Sequence, residues 1–352
     1  MATVSLCMIV RDEAPVLARC LESAAPLCEE ILIADTGSVD ETKSVAAQFT
    51  DRIYDFPWQD DFAAARNFIF SKAKADYQFW LDADDVLPPE SLAALLAIRD
   101  TLTADVVMLP YHVGFDADGR PVCTFWRERL LRRECGFRWE GAVHEAVTPA
   151  GTILRVNAPV EHHKVHVNDP GRNLRIFEKQ AECGHRFTAR EHFYYARELM
   201  WNGRDREAVQ EFAAFLQCPD GWSEDRISAC LDLARCSIRL GHPETAREIL
   251  CGSLAMGAPR AEICCEIGNL YLEQKQWECA VFWYEAALHC PPETGGFSHP
   301  DYRDFIPMMQ LCVCHDRMGN LREATAYHER AQRLHPQHPA VLANCAYFRN
   351  KL

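Results

Sequence analysis

The run Gln78-Phe-Trp-Leu-Asp-Ala-Asp-Asp-Val-Leu-Pro-Pro89 carries an apolar stretch into three carboxylates, Asp82, Asp84 and Asp85, and closes on two prolines. Asp82 and Asp84 are two residues apart, so an extended chain presents both on one face. Like charges this close repel unless a cation or hydrogen-bond donors offset them. Mg2+ or Mn2+ suits carboxylate oxygens and keeps coordination positions open for phosphate. The spacing therefore points to a metal and a nucleotide held at Asp82 and Asp84. Asp85 falls at the turn enforced by Pro88-Pro89, where an aspartate also serves as a helix N-cap.

Two further stretches suit the same chemistry. In "ADTGSVDET" (34–42) the chain leaves an apolar run through Asp35 and turns at Gly37. Ser38 and Glu41 have the spacing of a capping box, which gives them a structural reason to be there. Asp35 lies before that cap, where its oxygens can accept from a base N–H or a ribose hydroxyl. In "AAARN" (63–67) Arg66 sits on a helical segment leading into the aspartate-bearing run. A guanidinium there matches a diphosphate, with a surface ion pair as the ordinary alternative.

Short apolar runs at 5–10, 30–35, 52–56, 77–84 and 105–113 alternate with helical segments beginning near Glu13, Asp40, Phe62 and Pro88. This alternation predicts a Rossmann-like α/β domain with a mostly parallel sheet. Ligands of such sheets bind beyond the carboxyl ends of the strands, where Asp35 and Asp82 fall.

Past residue 170 the strand signal stops and a repeat appears. Residues 261–292 place Ile267-Gly268, Tyr271, Ala280, Tyr284, Ala287 and Pro292 on the tetratricopeptide template. Aligning on Ala208, Ala246, Ala280 and Ala324 gives units starting at 189, 227, 261 and 305, spaced by 38, 34 and 44 residues. The last spacing holds a loop, "PPETGGFSHP". Stacked helix pairs of this kind bury a face that no single pair can bury alone. The expected domains are 1–168, α/β, and 169–352, an all-α tetratricopeptide-like array.

The 352 residues are 48% hydrophobic and 25% charged, with a net charge of −14. Such acidity argues against a nucleic-acid partner. Residues 1–165 hold 26 acidic and 16 basic side chains, so most of the excess acid lies with the aspartate motif, where a cation offsets it. The opening residues show neither a secretory pattern nor a membrane span. The 17 cysteines contain no CxxC pair, which argues against zinc and disulfide frameworks and fits a reducing cytoplasm.

The stretches "MIVRDEAPVLARCLESAAPLCEEILIADTGSVDET" and "ARNFIFSKAKADYQFWLDADDVLPPE" resemble the nucleotide-binding half of the family 2 glycosyltransferases, which have the GT-A fold. The resemblance implies a nucleotide-diphosphate sugar as donor, Asp84 on the metal, Asp82 on the ribose or a metal-bound water, and Asp35 on the base. Where that family carries an asparagine before its first glutamate, this chain has Asp12-Glu13. With the repeat tail, through "RNLRIFEK", "HFYYARELMWNGR" and "RAEICCEIGN", the chain resembles the sublancin-type peptide S-glycosyltransferase group. That resemblance implies a UDP-sugar donor and a peptide acceptor, with a cysteine as the glycosylated residue.

Transfer from such a donor needs positive charge near the departing diphosphate. Residues 127–138 hold five arginines, of which Arg129 and Arg132 are the candidates, against the alternative of a solvated strand face. An inverting transfer also needs a base for the acceptor proton. Relatives carry a His-Glu pair like His144-Glu145, which makes Glu145 the first choice and His144 the second, against the alternative of a structural ion pair with a nearby arginine. Trp139 suits a sugar platform or a buried core position. In "PVEHHKVH" (159–166) the position matching the relatives' metal histidine is His162, with His163 next. Only neutral imidazole binds a metal, so such a ligand makes activity fall at acidic pH. The repeat array is expected to recognise a peptide or glycan acceptor, or to mediate a homodimer. The competing function is an adaptor whose transferase domain has lost catalysis.

Overall fold

A computed structural model describes residues 2–165, 169–292 and 296–351. The chain divides into two compact units, residues 1–114 with 124–184, and residues 115–123 with 185–352. The expected boundary at 168/169 shifts, and residue 168 itself lies outside the described residues. The helix α5 (Arg172–Glu182) falls in the first unit, where Arg172 stacks over Phe62 at 4.8 Å and Lys179 reaches Asp60 at 2.6 Å.

The first unit is built on β1 (Val4–Val10), α1 (Ala14–Ala24), β2 (Glu30–Asp35), α2 (Thr42–Ala46), β3 (Ile53–Asp55), α3 (Phe62–Phe70), β4 (Tyr77–Trp80), β5 (Asp85–Val86) and α4 (Pro89–Arg99). It continues through β6 (Val106–Phe115), β7 (Pro121–Arg132), β8 (Ile153–Arg155), β9 (Val160–His162) and α5. The sheet order is β3-β2-β1-β4-β7-β6-β9-β5, with β8 also on β6. β3, β2, β1 and β4 run parallel, so their carboxyl ends share one edge. β7 then pairs antiparallel with β4.

The strand period of two divides the core between the faces of the sheet. Leu6, Met8 and Val10 of β1 pack with Leu17 and Leu21 of α1, whereas Cys7 joins Leu32, Ile69, Phe70, Trp80 and Leu131. The run expected to extend over 77–84 stops pairing at Trp80, so Asp82 and Asp84 stand in the connection to β5 and not on one strand face.

The second unit contains α6 (Ala189–Trp201), α7 (Asp205–Gln217), α8 (Ser223–Arg239), α9 (Pro243–Ser253), α10 (Ala261–Glu273), α11 (Trp277–Leu288), α12 (Phe305–Arg317), α13 (Leu321–Leu334) and α14 (Pro339–Lys351). The unit starts at 189, 261 and 305 coincide with the first residues of α6, α10 and α12, while α8 begins four residues before 227. Ala208, Ala246, Ala280 and Ala324 are all fully buried. Gly268 has a packing reason, since a Cβ there would lie 2.8 Å from the Tyr284 ring. This small-against-large pair locks α10 to α11, as the repeat template requires.

Candidate active site

The turns after β1 and β2 are tied together by short polar side chains. Asp35 is buried, and its Oδ1 accepts from Gly37 N at 3.0 Å and Ser38 N at 2.9 Å. Gly37 adopts φ +107, which favours glycine. Ser38 does not form the expected capping box. Its Oγ accepts from Asp12 N at 3.0 Å, and the turn into α2 uses Asp40, whose carboxylate accepts from Thr42 N. Asp12 in turn accepts from Val39 N at 2.7 Å, so it joins the two turns. Oδ2 of Asp35 is buried without a hydrogen-bond partner. A buried acceptor left unmade is costly, and a donor from a bound base or ribose would satisfy it.

At the end of β4 the three aspartates separate. Asp85 is fully buried, with Oδ2 3.1 Å from Arg129 and accepting from Asp82 N, and Oδ1 accepting from Tyr111 OH at 2.7 Å. The assignment of Asp85 to the turn is thereby corrected: it is the internal counter-ion of Arg129. Asp82 turns away to accept from Arg66 at 2.7 Å. Desolvation opposes its charge, but the guanidinium of Arg66, with Arg129 and His162, outweighs this and lowers its pKa to about 2.

Asp84 meets His162. β9 pairs with β5 so that His162 lies opposite Asp85, and its Nδ1 is 3.3 Å from Oδ1 of both Asp84 and Asp85. Burial works against a charged imidazole, yet bonds to Asp84 and Asp85 override it and raise the pKa to about 10, so a divalent cation would bind His162 only by displacing that proton. His163 faces the other way, 2.8 Å from Glu161. Ligand atoms of Asp84, Asp85 and His162 lie within 4.8 Å of one another. Two carboxylates and an imidazole fit Mg2+ or Mn2+. In this cluster Asp85 stands where Asp82 was expected. Glu13 adds negative charge nearby: burial, then Asp84, Asp82 and Asp40, push its carboxyl up to about 7.

Arg66 connects this cluster to the second half of the sheet. Its side chain is buried between Trp80 and Trp139, 4.9 and 4.8 Å from their ring centres. Nη2 donates to Asp82 and Nε to Glu145, the latter at 2.6 Å, while Nη1 is buried without a partner. Asn67, the next residue, exchanges two 2.9 Å hydrogen bonds with the backbone of Trp139. The pair Arg66-Asn67 therefore fixes both ends of the 139–145 turn. That turn is closed by a Glu140–Ala146 bridge and places His144 at φ +51.

Three expectations change. Arg129 is fully buried, sandwiched 3.9 Å from Trp80 and 4.4 Å from Tyr111, and neutralises Asp85, with Nε and Nη2 left without hydrogen-bond partners. Arg132 pairs with Tyr77, the first residue of β4, and its side chain binds Asp105, Thr103 and Tyr77 at the opposite end of that strand from the aspartates. Trp139 is buried edge-on against Phe70 and Trp80, which makes it core and not an open sugar platform. A cation overlooked in the sequence is Arg127, part-exposed, 4.7 Å over Trp80 and paired with Glu128. Charge count alone could not separate it from its neighbours, but the strand period does, since Arg127 and Arg129 share a face that Arg132 does not.

Residues 5–156 match the family model described as Glycosyl transferase family 2. The chain is 28% identical over 301 residues to a TPR repeat-containing protein of Synechococcus elongatus, covering 84% of this chain and 68% of that protein. It is 30% identical over 156 residues to the lipopolysaccharide core biosynthesis glycosyltransferase LpsC of Rhizobium meliloti, covering 42% of this chain and 57% of that protein. It is 25% identical over 228 residues to the SPbeta prophage-derived glycosyltransferase SunS of Bacillus subtilis, covering 59% of this chain and 51% of that protein. The chain thus spans little more than half the length of the last two relatives. With a curled, mostly parallel sheet whose aspartates gather at one edge, residues 5–156 are similar to family 2 glycosyltransferase domains, and a tetratricopeptide-like helical array follows them in this chain.

Proposed function

We propose that this protein transfers a sugar from a UDP-sugar to a peptide acceptor, at a cysteine or serine, with inversion at the sugar carbon. The observation that carries this reading is Arg66, which ties the aspartate cluster and Glu145 into one site. The unpartnered Oδ2 of Asp35 takes a donor from the nucleoside. Asp84 and His162, with Asp85 beside them, would hold Mg2+ or Mn2+, which would supply positive charge to the departing diphosphate. Nη1 of Arg66 is free to donate to a phosphate oxygen, and Arg127 adds a second cation.

Glu145 acts as base. While Arg66 binds it, the carboxylate is held by its counter-ion; when Arg66 turns to the diphosphate, Glu145 is released to take the acceptor proton. The acceptor sulfur or oxygen forms a bond to the sugar carbon, and the nucleoside diphosphate leaves with the electron pair of the broken C–O bond. The turn 139–145 keeps Glu145 in place, and His144 flanks it there. The repeat array recognises the acceptor. Among the described residues no helix is long and apolar enough to cross a membrane.

The test uses the full chain with Mn2+ and a panel of UDP-sugars, followed by donor hydrolysis. Asp84→Ala is expected to lose metal-dependent turnover while melting like the wild type. Undiminished turnover in that variant, or no UDP binding by calorimetry in the wild type with Mn2+, would overturn the reading in favour of a non-catalytic adaptor.

A further inference from the structure

The second part of the long spacing between the third and fourth repeats lies against the array, unlike most loops. Pro291 and Pro292 are exposed, but none of residues 296–304 is, although only Pro300–Arg303 form a single 3₁₀ turn. The segment lies along the first helices of three successive repeats. Phe297 stacks on Arg197 of α6, with the guanidinium 4.9 Å from its ring, and the same guanidinium is 4.9 Å from Trp201. The hydroxyl of Tyr302 accepts from Arg235 of α8 at 3.1 Å, and its backbone carbonyl faces Cys265 Sγ of α10 at 3.6 Å. Gly296 packs so closely on α8 that a Cβ there would lie 3.3 Å from Cβ of Glu224.

The two arginines are equivalent in the repeat. Each stands eight residues after the start of its unit, at 189 and 227, so both project from the same face of the array. They are oriented before the segment meets them, Arg197 by Asp232 at 3.1 Å and Arg235 by Glu266 at 2.8 Å. An aromatic ring over one guanidinium and a phenol on the next, five residues apart, is how side chains of a bound peptide would be read along stacked helices. Asp301 adds an anchor, 3.4 Å from the buried His335.

We infer that residues 296–304 are a built-in ligand: the face lined by α6, α8 and α10 is a groove for a peptide with an aromatic residue and, five positions later, a tyrosine presented on a tight turn, and the chain occupies it with its own segment. The groove opens to another peptide only when this segment leaves. The inference concerns the helical unit alone and does not depend on the transferase reading.

The experiment adds a fluorescent synthetic peptide of residues 296–304 to the full chain and to its Phe297→Ala, Tyr302→Ala double variant. The wild type should bind it weakly, because its groove is filled, and the double variant saturably and at least about tenfold more tightly. Adding Arg235→Ala to the double variant should remove that gain. Equal binding by wild type and double variant, or none by a double variant that keeps its helicity, would overturn the proposal. A second measurement holds if the double variant unfolds. Hydrogen exchange of residues 296–304 should quicken in Arg235→Ala while α12 is unchanged, and unchanged exchange there would equally refute the built-in ligand.

Discussion

Nε of Arg66 donates to Oε1 of Glu145 at 2.6 Å, across 79 residues of sequence, and the same guanidinium holds Asp82. One buried cation therefore joins the aspartate cluster to the 139–145 turn. Removing the charge of Glu145 and removing that of Arg66 should have different kinetic signatures. Glu145→Gln is expected to lower kcat by about 10²- to 10⁴-fold with little change in donor KM, because only proton transfer is lost. Arg66→Lys should raise donor KM as well, since a lysine lacks the planar fork that can hold Asp82 while meeting a phosphate. Steady-state kinetics with varied UDP-sugar separates them; matching losses in both parameters for both variants would contradict these roles.

The two adjacent histidines give a sharp contrast. His162 faces Asp84, and His163 faces Glu161. His162→Ala should weaken Mn2+ binding by about 100-fold, while His163→Ala should leave it within about threefold. Calorimetric titration of Mn2+ into the full chain decides this without any need for turnover. The reverse ranking would move the metal ligand to His163.

Stability of the helical unit should depend on Asp225. Burial raises its carboxyl to about 6, against the smaller pull of Arg190 and Arg197. Because the folded value lies above the unfolded one, this group's favourable contribution is complete at acidic pH and is lost as pH rises through about 6. At pH 8 the folded chain carries a buried charge costing about 3 kcal/mol. Asp225→Asn should therefore melt above wild type at pH 8, with the difference shrinking towards pH 5. Scanning calorimetry at the two values checks this, and a difference independent of pH would contradict it.

Gly268→Ala tests the repeat register. The added methyl would meet the Tyr284 ring at 2.8 Å, and that ring is held by its hydroxyl donating to Asn269 at 2.6 Å. The expected loss is about 1–3 kcal/mol in urea unfolding, despite the better helix propensity of alanine. A variant as stable as wild type would mean that α10 and α11 separate easily.

The sequence by itself determined the existence of the parallel strands, the gathering of Asp35 and the Asp82–Asp85 run at one edge, and the phase of the helical repeats. Each follows from a local period or from a chain reversal, which neighbouring residues encode. Only the tertiary structure decided which charges are buried and with what. Asp85 resembled a turn residue until Arg129, 44 positions away, was found sealed against it between Trp80 and Tyr111. Arg132 resembled Arg129 in sequence, yet it binds at the other end of β4 because antiparallel pairing sets it opposite Tyr77. Trp139 became core because Asn67 clamps its backbone over Trp80. The inter-repeat segment likewise read as an open loop, and only the folded array shows its rings resting on Arg197 and Arg235. Burying a charged group costs free energy unless a partner from a distant part of the chain meets it, and no local pattern names that partner.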